Sequence, residues 1–111
     1  MAQTNILLES GTNEFEIVEF YLDEPPKAAR PDPYRGYYGI NVAKVLEIIR
    51  MPVLTDMPEV SHPAVLGAFN LRQKIIPLID LAVWLGKKKI EREPPKVIVT
   101  ELNQVTTGFM V

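Results

Sequence analysis

Phe15-Glu16-Ile17-Val18-Glu19-Phe20-Tyr21-Leu22-Asp23 sets Val18, Phe20 and Leu22 against Glu19, Tyr21 and Asp23 at a period of two. That is the spacing at which successive β-strand side chains turn to opposite faces, so the segment reads as a half-buried strand with one apolar and one wetter side. The next stretch, Glu24 to Arg35 (EPPKAARPDPYR), holds four prolines and no apolar period. It reads as a long exposed connection. The alternation of short apolar runs with proline then continues, since the ten prolines of the chain fall between such runs rather than in one block.

Gly36 to Ile40 reads as a second strand, Asn41 as the cap of a single helical turn over Val42 to Lys44, and Val45 to Arg50 as extended chain again. VLEIIR is apolar on both faces except at Glu47, which implies two-sided burial and a partner for the acid. Met51 to Glu59, with Pro52 and Pro58, reads as irregular. Ser61 or His62 as cap and Pro63 in the first turn predict a short helix over Ala64 to Asn70, with Val65, Ala68, Phe69 and Arg72 on one face. Lys74 to Leu81 (KIIPLIDL) reads as a strand whose Pro77 marks an edge or a bulge. Leu85-Gly86 and Lys87 to Lys89 form a turn, and Val97 to Leu102 and Val105 to Val111 are strands around an Asn103-Gln104 turn. Because the last strand, Phe109-Met110-Val111, is apolar to its end, further strands of the same sheet are expected after it. Many short strands with Pro/Gly turns and one short helix indicate an all-β barrel or a pair of small barrels.

Composition narrows the function. The chain has 111 residues, 47% hydrophobic and 23% charged, the balance of one globular domain with a packed core. No apolar run approaches the roughly 18 to 20 residues of a membrane span, and the N-terminus has no basic region preceding a long apolar segment, so neither export nor direct membrane insertion is expected. Cysteine is absent, which removes disulfides and thiolate metal sites. A net charge of −2 is the wrong sign for phosphate attraction, so no nucleic-acid partner is expected. His62 is the single histidine, and no nucleophile motif accompanies it; it reads as a helix-start residue and the chain as a non-enzyme. Gly36 and Gly39 lack the Lys-Ser/Thr and helix of a phosphate loop, and no cofactor is expected. In Arg35-Gly36-Tyr37-Tyr38-Gly39, Tyr38 stands where an RNA-binding strand wants Gly or Ala, so the aromatics read as barrel cover. Lys87 to Lys89, with Glu91 and Glu93 close behind, reads as a solvated turn.

From Tyr38 onward the blocks YGINVAKVLEIIR, P-x-x-x-H-P-A-V-L-G-A-F-N-L-R and IIPLIDLAVWLG occur in order, and together they resemble the CheW domain. The opening ILLESGTNEFEIVEFYLDE and the insert after it are similar to the CheV type of adaptor, in which a receiver domain comes after the CheW-like one; such a domain could lie only beyond Val111. The resemblance implies two small SH3-like five-stranded barrels with a short helix. About residues 14–73 would make mainly the first barrel and the helix, and about 74–111 part of an incomplete second one. It also implies a cytoplasmic, non-catalytic chemotaxis scaffold, with two partners: the regulatory domain of the CheA histidine kinase and the cytoplasmic hairpin tip of chemoreceptors. Val45 and Gly67 match positions of the family's receptor-facing groove. Glu47 and Arg72 are expected to form an ion pair near it, stabilising the fold and contacting the receptor. One position departs: the family reads N-L-R-G, and Gln73 stands where the glycine would supply a positive φ. Apolar strand surface left uncovered would let the chain associate with itself. A small nucleic-acid-binding β-barrel is the alternative reading, disfavoured by charge.

Overall fold

The computed structural model describes residues 6–10, 16–29, 31–57, 60, 62–90 and 94–111. Phe15, Pro58, Glu59, Ser61, Glu91 and Glu93, which enter the sequence reading, lie outside them. In chain order the elements are β1 (Ile6–Ser10), β2 (Glu16–Glu24), β3 (Tyr34–Asn41), a 3₁₀ turn (Val42–Lys44), β4 (Val45–Arg50), β5 (Val65–Leu71), β6 (Lys74–Asp80), α1 (Leu81–Trp84), β7 (Lys96–Leu102) and β8 (Val105–Met110).

β2 is the strand its period predicts: Val18, Phe20 and Leu22 are buried. It pairs antiparallel with β3 and with β1, giving a three-stranded sheet in the order β1-β2-β3. Asp23 is buried as well, on the wetter face, because Arg35 lies directly across the strand pair. The guanidinium holds the carboxylate through two hydrogen bonds, Nε to Oδ1 at 2.7 Å and Nη2 to Oδ2 at 3.1 Å, and lies over the Tyr21 ring. Bonding to Asp23 raises the Arg35 pKa further above its ordinary value, so Arg35 remains a cation. Asn41 caps the 3₁₀ turn as its sequence position implies, its Oδ1 accepting from the Ala43 N–H.

The second sheet has five strands in the order β4-β7-β8-β6-β5, antiparallel except for β6 against β8. Its strands come from residues 45–110 and those of the other sheet from residues 6–41, so the chain passes from one sheet to the other at Val42–Lys44. The all-β character with one short helix stands, but neither sheet is closed into the expected barrel. The edges of the larger sheet are β4 and β5. Among the described residues a single bridge ties the chain leaving β4 to β5: Thr55 and Ala68 exchange two backbone hydrogen bonds of 2.8 Å. Pro52 in that segment has no N–H to offer a ladder, so the sheet curls without continuous closure.

Three local expectations are corrected. Ala64 to Asn70 is not a helix; Val65–Leu71 is strand β5, paired with β6 across a two-residue turn. Apolar residues dense enough to make a helical stripe also serve a strand, and pairing across the sheet outweighs the local cap signal. The short helix is α1 instead, started by Asp80, whose Oδ1 accepts from the Ala82 and Val83 N–H groups. β4 is not buried on both sides, for Leu46, Ile48 and Arg50 are exposed on an edge strand. The doubly buried strand is β7, where Val97, Ile98, Val99 and Thr100 are all buried. Finally, Pro77 lies on a strand flanked by β5 and β8. Its partner Ala68 spends both backbone groups on Thr55, and the β6–β8 ladder begins only at Leu78, so the missing N–H is not needed. Pro77 is thus not on an edge, and the bulge lies beside it, in β5 between Val65 and Gly67, opposite Ile79 and Leu78.

Two cores result. Val18, Phe20 and Leu22 meet Ile98, Ala82 and Val111 between the sheets. Phe69, Ile76, Leu78, Val97, Val99 and Met110 fill the inside of the curl. Among the described residues no helix is long and apolar enough to cross a membrane.

Candidate protein-interaction surface

Glu47 stands opposite Val99 in the β4–β7 register, so the two side chains share a face. Val99 belongs to the core inside the curl, which places the Glu47 carboxylate at the margin of an apolar interior. Arg72, at the β5–β6 turn, reaches it with Nη2 3.0 Å from Oε2. The expected ion pair is therefore present. Since β4 and β5 are opposite edges of the sheet, it acts beside the Thr55–Ala68 bridge as a second tie across the curl.

The surroundings of the pair are uneven. The Arg72 side chain is 76% exposed and that of Glu47 24%, so screening by water limits the attraction to roughly 0.2 to 1 kcal/mol. The Glu47 Oε1 atom, in contrast, is buried and accepts no hydrogen bond from the protein. Glu47 also lines a cavity of about 100 Å³ with Leu46, Leu71, Ile76 and Val99, to which Arg72, Lys74 and Thr106 add polar groups. Such a site suits recognition: an apolar recess bordered by a carboxylate, a hydroxyl and two cations. Among the described residues no group of three His, Asp or Glu side chains is arranged to hold a metal.

Val45 and Gly67 do not line this cavity. Val45 is half-buried against the core between the sheets, and a bulge separates it from Glu47. Gly67 has φ +149°, and a Cβ there would lie 2.7 Å from the Thr55 carbonyl oxygen. Its bare backbone admits the segment that bridges to β5. The β5–β6 turn keeps positive φ at both central residues, Arg72 at 50° and Gln73 at 68°, so the chain adopts the hairpin geometry without the family's glycine. His62 is a turn residue, its Nδ1 accepting from the Ala64 N–H and its ring lying 5.1 Å from Trp84. Leu71, Lys74 and Thr106 were not foreseen as part of the site. The first two flank the Arg72-Gln73 turn and could have been reached by reading it as a hairpin; Thr106 enters through the β7–β8 register, which leaves no local signal.

The CheW-like domain model matches residues 34–111. The chain is 46% identical to chemotaxis protein CheV3 of Helicobacter pylori over 101 residues, 89% of this chain and 31% of that protein. It is 31% identical to chemotaxis protein CheW of Thermotoga maritima, over 94% of this chain and 61% of that protein. The solved structure of scaffolding protein TtCheW from Thermoanaerobacter tengcongensis superposes with a TM-score of 0.63 at 26% identity, covering 82% of this chain and 57% of the other. The chain thus spans less than two thirds of each of these relatives. With the family model matched from β3 through β8 and the solved scaffold sharing the fold, the chain belongs to the CheW-like domain family.

Proposed function

We propose that the chain is a non-catalytic, cytoplasmic coupling domain of bacterial chemotaxis, linking chemoreceptors to the CheA histidine kinase by binding both. The observation that carries the reading is the family match over residues 34–111, joined by similarity to proteins named for chemotaxis and, in one case, for scaffolding. The 46% identity to CheV3 supports the CheV type of adaptor. Glu47 and Arg72 are the receptor contacts in this reading, since they border a recess in which apolar wall and charge come together. Val45 and Gly67 support that surface from within: Val45 anchors the start of β4 on the inter-sheet core, and Gly67 admits the bridging segment. Leu46, Ile48 and Ile75, exposed on strands, favour self-association of the 111-residue chain, and a strictly monomeric sedimentation profile at high concentration would remove that part.

The test is isothermal calorimetry of the protein with the regulatory domain of its cognate CheA kinase. Binding at about 10 μM or tighter, some 7 kcal/mol of association free energy, is expected. No heat and no pull-down at tens of micromolar would sink the adaptor reading.

A further inference from the structure

His62 is the chain's single histidine and Trp84 its single tryptophan, and the fold sets one ring against the other, with centroids 5.1 Å apart and planes tilted by 45°. The imidazole also closes a turn. Its Nδ1 accepts from the Ala64 N–H at 3.0 Å, while the His62 carbonyl accepts from the Val65 N–H at 3.0 Å. Ala64 is fully buried, and its own carbonyl accepts from the Asp80 N–H at 2.7 Å. Asp80 caps α1, its Oδ1 accepting from Ala82 and Val83, and α1 carries Trp84 back to the His62 ring. These contacts make a closed circuit: imidazole, Ala64, Asp80, α1, indole. α1 also supplies Leu81 and Leu85 to an apolar cavity of about 250 Å³, lined as well by Phe20, Tyr38 and Ile98, so whatever loosens α1 alters the wall of that cavity.

One link of the circuit depends on a proton. Histidine is the side chain whose charge changes between about pH 5 and 8, and only an unprotonated Nδ1 accepts a hydrogen bond. A proton on Nδ1 would set two N–H groups 3.0 Å apart. Swinging the ring out relieves that repulsion, and so does turning it over in place above the indole; either way the N–H of the buried Ala64 loses its partner. We propose that the circuit is a pH-sensitive latch, in which protonation of His62 breaks its bond to Ala64, frees the turn at residues 62–65 and loosens α1. The bond exists only in the folded chain and only with the neutral ring, so the latch holds at neutral and higher pH and opens as the pH falls. β5 and α1 carry no other ionisable group. The charged residues on the adjoining segments are Asp80 between β6 and α1, Asp56 and Glu59 before the turn, Lys74 at the far end of β6 and Lys87 after α1.

The test is a titration of the protein from about pH 8 to pH 5, followed by Trp84 emission and by the Ala64 amide resonance in proton–nitrogen correlation spectra. Both signals are expected to move with one midpoint, the Ala64 proton upfield as its hydrogen bond is lost. His62→Asn is the control, because its amide oxygen accepts from the N–H two residues on, as in an Asx turn, and does not titrate. In that variant neither signal should move, and its melting temperature should fall by roughly 4 °C less over the same range than that of the unaltered protein, the share of one hydrogen bond. Asp80→Asn keeps a capping oxygen and removes the circuit's own acid, and the transition should persist in it. A stationary Ala64 resonance in the unaltered protein would overturn the proposal whatever the indole does, since a charged ring nearby changes indole emission by itself. An equal transition in His62→Asn, or its disappearance in Asp80→Asn, would place the titration on another group and overturn it too.

Discussion

Gln73 and Gly67 present opposite cases of backbone strain. Gln73 holds φ at 68° with a side chain that disfavours it, so Gln73→Gly should stabilise the fold by about 1 kcal/mol. The melting temperature should rise by roughly 4 °C or more, measurable by circular dichroism. Gly67 needs both its φ and its missing Cβ, which would press on the Thr55 carbonyl. Gly67→Ala should cost about 2 kcal/mol or more in denaturant unfolding, because bridge and backbone must both give. At this scale much was legible. The positive φ at Gln73 could be read from its place in the motif, and the partner of Glu47 from the cost of leaving an acid unpaired. That Arg72 also has positive φ follows only once the turn is read as a two-residue hairpin, and that Gly67 serves the Thr55 segment depends on a contact between residues twelve apart that no local pattern encodes.

The strands with clean alternation, a clear turn or a dense apolar run were legible as elements: β2, β3, β4, β6, β7 and β8. Sequence reasoning failed at β5 and α1, where short apolar runs fit both periods and long-range pairing decides. VLGAFNL becomes a strand because a two-residue turn lays it against KIIPLID, and LAVW becomes a helix because Asp80 ends that strand and caps the first turn of α1. Removing the cap tests the second point. Asp80→Ala should destabilise the domain by about 1 kcal/mol, with the emission of Trp84, the chain's single tryptophan, reporting the loosening of α1. A substitution without effect on either would show that β6 and the inter-sheet core hold α1 unaided.

For the molecule as a whole, the curl of the larger sheet is held by ties that are individually weak. The Glu47–Arg72 pair should show a coupling below about 1 kcal/mol in a double-mutant cycle on stability, since Arg72 is largely in water. The same two alanine substitutions should weaken receptor binding by more than they weaken the fold, which calorimetry and melting on the same samples would separate. Strand order was the part least open to sequence reading: β4 pairs with β7 across the whole of β5, β6 and α1, and a period of two says which face is buried, not which strand lies beside it. That order also has a kinetic meaning. The β5–β6 and β7–β8 hairpins close over turns of two residues and can form early, whereas β4 must wait until β7 exists and then close a loop of some fifty residues, about 3 kcal/mol more in chain entropy by the logarithm of loop length. Stopped-flow refolding should therefore give high φ-values for cavity-making substitutions such as Ile76→Val and Val99→Ala and low ones for Ile49→Val on β4. A late-forming β4 is also the first strand to leave when the native state opens, so the edge that carries Glu47 is the one whose amides exchange with solvent soonest.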